Sequence, residues 1–192
     1  MFALILLVCC FALVACSTAK APAEAAIKAT EEALAGVRQE ASVYVPDQLK
    51  AVEDALAAAK ADFEQKEYQK ALTEAQDLPG KVKDLSAAIA IKKDQLAKSW
   101  KDMSGGLPGM VEAIQSRINM LSKSRRLPAG LTKDNFESAK TTLEQIKQTW
   151  TDATGAFQSG NLMDAVTKAN DVKTKAVEIM NVLGMQVPEA AL

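Results

Sequence analysis

Apolar residues recur alternately three and four positions apart along most of the chain. Ala23, Ile27, Thr30, Leu34, Val37, Ala41 and Tyr44 form a first row, and Leu49, Val52, Leu56, Ala59 and Phe63 a second. A third runs through Tyr68, Ala71, Ala75, Leu78, Val82, Leu85 and Ile89 to Leu96 and Met103, with Lys92 interrupting it. Val111, Ile114, Ile118 and Leu121 make a shorter fourth row. Phe136, Ala139, Leu143, Ile146, Trp150, Ala153 and Phe157 make the fifth, and Leu162, Ala165, Ala169, Val172, Ala176, Ile179 and Leu183 the sixth. Such spacing places every member of a row on one stripe of an α-helix. An average step near 3.5 favours helices packed at about +20°. No window alternates with the period of two that a strand requires. The pattern predicts an all-α protein, an elongated antiparallel helical bundle.

Turn residues separate the rows. Pro46 and Asp47 are expected to open the second helix, since proline in a first turn loses no hydrogen bond. Gly160-Asn161 should end the fifth helix and cap the sixth, with Asp164 near the positive end of the dipole. Thr132 is the expected cap of the fifth. Leu127-Pro128-Ala129-Gly130 reads as a loop, and Ser104-Gly105-Gly106-Leu107-Pro108-Gly109 as a hinge between halves. Leu78-Pro79-Gly80 resembles a terminator, but the row keeps its phase from Ala75 to Leu78 to Val82. A kinked helix is expected there.

The rows repeat. A shift of 94 residues carries Leu49 onto Leu143, Val52 onto Ile146, Leu56 onto Trp150, Phe63 onto Phe157 and Tyr68 onto Leu162. The same shift carries Ala71 onto Ala165, Asp77 onto Asp171 and Leu85 onto Ile179 without a gap. The fifth helix has an extra heptad at its start, supplied by Phe136 and Ala139. With the first and fourth helices as lead elements, the chain reads as two duplicated three-helix units. The joints Phe63-Glu64-Gln65-Lys66-Glu67-Tyr68 and Phe157-Gln158-Ser159-Gly160-Asn161-Leu162 resemble the turns of tetratricopeptide repeats. The first joint departs from that pattern in carrying Lys66 in place of glycine, and the helices are longer than a 34-residue repeat accommodates.

The first sixteen residues, Met1 to Cys16, carry no charge, and Lys20 is the first charged side chain. A run this short falls below the roughly 20 residues of a membrane-spanning helix. It matches the apolar region of a secretory signal, about 7–15 residues ahead of a small-residue cleavage site. Leu13-Val14-Ala15-Cys16 resembles the lipobox of bacterial lipoproteins. That resemblance implies removal of residues 1–15, a diacylglyceryl group on Cys16 and acylation of the new N-terminus. Cys9 and Cys10 would leave with the signal. By similarity to lipoproteins of enteric-type bacteria, Ser17 in place of an acidic residue implies an outer-membrane position facing the periplasm. The whole chain also resembles small alanine-rich helical lipoproteins of the bacterial envelope.

Composition narrows the chemistry. All 23 basic and 24 acidic residues follow Cys16, so the remainder is nearly neutral. That balance speaks against nucleic acid, which demands a basic stripe. Histidine is absent, which removes the commonest general base and the usual zinc ligand. With Cys16 acylated, no thiol is left for a disulfide or a nucleophile. Neither a phosphate loop nor a dinucleotide fingerprint is present. Carboxylate pairs such as Glu31-Glu32 and Glu53-Asp54 lie opposite the apolar stripes, where solvated helix faces are expected. No catalytic residue, metal site or cofactor is expected.

Lys123, Arg125 and Arg126 form the one notable basic cluster, with Lys133 nearby. They could meet an anionic partner, or simply mark a helix end, where cations are favoured. Trp150 lies on its stripe and is expected in the core. Trp100 lies off the strict row by one position, beside Lys98 and Lys101; partial exposure would suit an interface anchor, and a place in the core is the favoured alternative. The remaining methionines are read as core filler.

These features predict a signal peptide over 1–15, a lipidated tether over 16–22, a first unit over 23–103 and a hinge over 104–109. A second unit over 110–185 and a C-terminal tail over 186–192 complete the order. The functional expectation is a membrane-anchored envelope lipoprotein serving as a helical protein-binding or adaptor module. The alternative is a structural spacer or a peptidoglycan-associated lipoprotein. A glycan hydrolase working with carboxylates alone is the last choice.

Overall fold

The structure is a computed structural model that describes the backbone of residues 2–188 and the side chains from Thr18 to Pro188. The side chains of the expected signal peptide and of Cys16, and residues 189–192 of the expected tail, lie outside the described residues. Among the described residues six α-helices follow one another: α1 (Phe2–Tyr44), α2 (Pro46–Glu64), α3 (Tyr68–Gln76), α4 (Leu78–Lys123), α5 (Lys133–Gln158) and α6 (Leu162–Val182). No strand occurs among the described residues. The protein is an all-α helical bundle. Among the described residues no helix is long and apolar enough to cross a membrane.

The chain divides into two compact units, Met1–Lys92 and Lys93–Leu192. In the first, α1, α2 and α3 pack on one another and the opening turns of α4 complete the core. Ile27, Leu34 and Ala41 of α1 meet Leu49, Val52, Leu56 and Ala59 of α2 and Ala75, Leu78, Val82, Leu85 and Ile89 of α3 and α4. These are the first three rows. Burying a leucine or isoleucine side chain contributes about 1.5–3 kcal/mol, so the rows are the main source of stability. Thr30 is fully buried on the same stripe because its hydroxyl donates to the Ala26 carbonyl at 2.8 Å. Arg38–Glu53 (3.1 Å) and Lys60–Glu31 (2.6 Å) join the outer faces of α1 and α2.

In the second unit, α5 and α6 pack together beside the remainder of α4. Phe136, Ala139, Leu143, Ile146 and Ala153 are buried from α5, and Ala165, Ala169, Val172, Ala176, Ile179 and Leu183 from the sixth row. The Arg117 guanidinium on α4 donates to the Leu183 carbonyl at 3.3 and 3.4 Å, closing the C-terminal end of α6. Thr132 and Asn161 cap α5 and α6 as expected, accepting from the Asn135 and Asp164 amides at 3.2 Å. Pro46 sits in the first turn of α2.

Three expectations are corrected. The tether over 16–22 is helical, being part of α1, and Ala19 and Ala23 are buried. The hinge over 104–109 is also helical and lies inside α4. Glycine and proline cost about 1 and 3 kcal/mol in a helix interior. Here Leu107 and Met110 are buried and tertiary packing outweighs local propensity. The unit boundary falls instead at Lys92–Lys93, where lysine interrupts the apolar row. At Leu78-Pro79-Gly80 the helix is not merely kinked. It stops for one residue, Asp77, and restarts at Leu78 with Pro79 in its first turn. The phase of the row survives, for Ala75, Leu78 and Val82 are all buried.

Candidate functional site

The α2–α3 and α5–α6 turns share three main-chain hydrogen bonds under the shift of 94 residues. In the first, the Gln65, Lys66 and Glu67 amides donate to the carbonyls of Ala61, Phe63 and Asp62. In the second, Ser159, Gly160 and Asn161 donate to Gly155, Phe157 and Ala156. Lys66 and Gly160 both have positive φ, 66° and 82°. Ala59 and Ala153, with Ala71 and Ala165, are completely buried on the helices either side. Small residues there let each helix pair approach closely.

Around these shared turns the chemistry diverges. Asp62 is 6% exposed, and its Oδ1 accepts from Lys70 Nζ at 2.8 Å. That bond holds the Lys70 ammonium above its ordinary pKa. Asp62 Oδ2 and Glu74 Oε2 are buried without a hydrogen-bond partner among the described residues. The equivalents in the second unit are Ala156, Asp164 and Lys168, so the buried acid is gone and the lysine and acid have exchanged places. Lys168 there bonds Asp164 within α6. Nothing in the row pattern marks Asp62 as buried.

The basic cluster is brought together at the C-terminal end of α4. Lys123 is the last residue of the helix, and Arg125 and Arg126 follow in an exposed bend braced by the Ser124 hydroxyl donating to the Arg126 carbonyl at 2.7 Å. The carboxylates of the sequence pairs are engaged in ion pairs: Glu31 with Lys60, Glu32 with Lys28, Glu53 with Arg38 and Asp54 with Lys50. Among the described residues no cluster of three or more acidic, histidine or cysteine side chains could hold a metal ion.

Of the two tryptophans, Trp100 takes the core position and Trp150 departs from the burial expected of it. Trp100 is buried, while Trp150 is half-buried. Trp100 stacks against the Trp150 ring at 5.4 Å between centroids and against Phe157 at 4.6 Å, with interplanar angles of 7° and 9°. The physical reason is phase. Trp100 lies four residues after Leu96 and three before Met103, which is the stripe itself. It is not a free interface anchor. Phe157, 38% exposed, forms the outer edge of the stack.

The same stripe continues from Met103 to Leu107, Met110 and Ile114, straight through the glycine-rich segment. A second equivalence follows. A shift of 80 residues carries Ile27, Thr30, Leu34 and Ala41 onto Leu107, Met110, Ile114 and Leu121, and all eight are buried. The lead helices therefore correspond as well, with Gly105, Gly106, Pro108 and Gly109 inside the second of them.

Beside Gly106 lies a cleft of about 190 Å³ lined by Asp102, Met103, Gly106, Leu107 and Met110 of α4, Lys173 of α6 and Pro188. Its walls are methionine and leucine, and one acid and one base stand at its rim. A Cβ added at Gly106 would meet nothing within 4 Å, so the residue leaves open a space that most side chains would fill. Sequence reasoning missed this cleft because residues 104–109 read as a hinge between halves. Its signal was the unbroken spacing of Met103, Leu107 and Met110. The chain matches no protein-family model, no curated protein and no solved structure.

Proposed function

We propose that the chain is a bacterial envelope lipoprotein, acylated at Cys16, that presents two helical units as a protein-binding adaptor. In a two-membrane cell its place is the outer membrane, facing the periplasm. The run ending in Leu13-Val14-Ala15-Cys16 supports the anchor. The observation that carries the adaptor reading is the cleft of the second unit. At about 190 Å³ it exceeds the apolar cavity of about 150 Å³ that accepts benzene, so one ring or branched aliphatic side chain of a partner fits. Met103 and Met110 provide a polarizable wall that adapts to the shape it meets. Asp102 and Lys173 can read polar groups flanking the inserted side chain. Binding surfaces commonly concentrate their affinity in one such desolvated anchor.

Gly106→Leu tests this reading with little risk to the fold. It fills the cleft from the helix side and replaces a glycine in a helix interior, a change worth about 0.5–1 kcal/mol in favour of folding. A photo-crosslinker at Asp102 in intact envelopes should capture a discrete protein from the parent and lose it in the variant, while the variant melts no lower. Equal capture by Gly106→Leu, or retention of both proteins on the peptidoglycan sacculus alone, would contradict the adaptor reading. The second outcome would favour the spacer.

A further inference from the structure

We infer that the α2–α3 turn, residues 64–68, rests in the phospholipid headgroup layer and that the α1–α2 junction stands clear of the membrane. This rests on the proposed acylation of Cys16. The folded unit then begins almost at the lipid, because only Ser17 and Thr18 separate Cys16 from buried Ala19. Lys20, one helical turn beyond Cys16, places its ammonium 5.8 Å from the centre of the Tyr68 ring. Tyr68 packs edge-on against Phe63 at 5.1 Å. These contacts hold the α2–α3 turn beside the start of α1, at the level where the acyl chains would enter the bilayer.

Two further observations favour this orientation. Lys66, at the apex of the turn, adopts the left-handed backbone that its counterpart Gly160 adopts without steric cost. A strained cation is thus kept, exposed, at the end nearest the anchor, where an ammonium can reach lipid phosphates. In addition, the apolar stripe of α1 is buried in the core of the unit. From Thr18 onward, the described part of the helix keeps no continuous apolar face with which to lie flat in the interface. From Lys20 to Tyr44 α1 rises about 36 Å at 1.5 Å per residue, far more than the thickness of one headgroup layer, about 5–8 Å. The charges at the turn nearly balance, Lys20 and Lys66 facing Glu64 and Glu67. The anchor and the fold set the orientation, and anionic lipid is not required.

The test uses the acylated protein in phosphatidylcholine vesicles carrying a nitroxide quencher on a fraction of the headgroups. Gln65→Cys and Gln48→Cys each introduce one labelling site, since the mature chain has no other free thiol once Cys16 is acylated. Both positions are exposed. A fluorophore at residue 65 should be quenched several-fold more than one at residue 48, equally with and without phosphatidylglycerol. Flotation with the vesicles and the mass of the N-terminal peptide are measured on the same samples. Acylated, floating protein with no quenching at 65, or with equal quenching at both positions, overturns the orientation and leaves the anchor intact. Protein that is neither acylated nor floating removes the anchor, and the orientation with it.

Discussion

Lys66 and Gly160 occupy the same backbone position in the two units, at φ 66° and 82°, yet only glycine takes that conformation freely. A side chain there costs about 1–2 kcal/mol, offset in part by the greater unfolded-state entropy of glycine, about 0.4–1 kcal/mol. Lys66→Gly should therefore raise stability by up to about 1 kcal/mol and Gly160→Lys lower it by a similar amount. Chemical denaturation of the two variants checks both signs. Changes of the same sign would mean that the turns are not equivalent. At this scale the sequence was least legible. Asp62 is buried by its bond to Lys70, an interaction across a turn that stripe spacing does not encode. Trp100 was left between core and surface for a simpler reason. The third row was continued in steps of seven beyond Lys92, and the position four after Leu96 was passed over.

Whole elements were legible where apolar spacing and capping chemistry agreed. The starts of α2, α5 and α6, with Pro46, Thr132 and Asn161 in place, follow from backbone groups that need partners at a helix end. The segment 104–109 was misread because glycine and proline preferences are local, whereas Leu107 and Met110 are held by the core. The four alanines flanking the two turns, Ala59, Ala71, Ala153 and Ala165, are completely buried. Ala71→Leu and Ala165→Leu each force extra volume into a fully buried site, and each should cost about 1–3 kcal/mol. Thermal melts of both variants test this. A leucine tolerated without loss at either site would mean that the helix pair there is not closely packed.

At the scale of the whole molecule, the shift of 94 residues from α2–α4 to α5–α6 and the shift of 80 between lead helices describe one three-helix plan used twice. Each copy buries its own core, so the sequence is free to vary outside it. The first unit carries the buried Asp62 and follows the proposed lipid site; the second carries the methionine-lined cleft. We read this as a division between anchoring and binding. The anchor is the premise on which that division rests, and the N-terminus of the mature protein tests it most directly. The measurement is mass spectrometry of the N-terminal peptide from membrane-fraction protein, with Cys16→Ser as the comparison. The expected parent chain begins at Cys16 and carries acyl groups, and the Cys16→Ser protein is unacylated and released from the membrane. A membrane-bound parent that keeps residues 1–15, or that has a free Cys16 thiol, would contradict it.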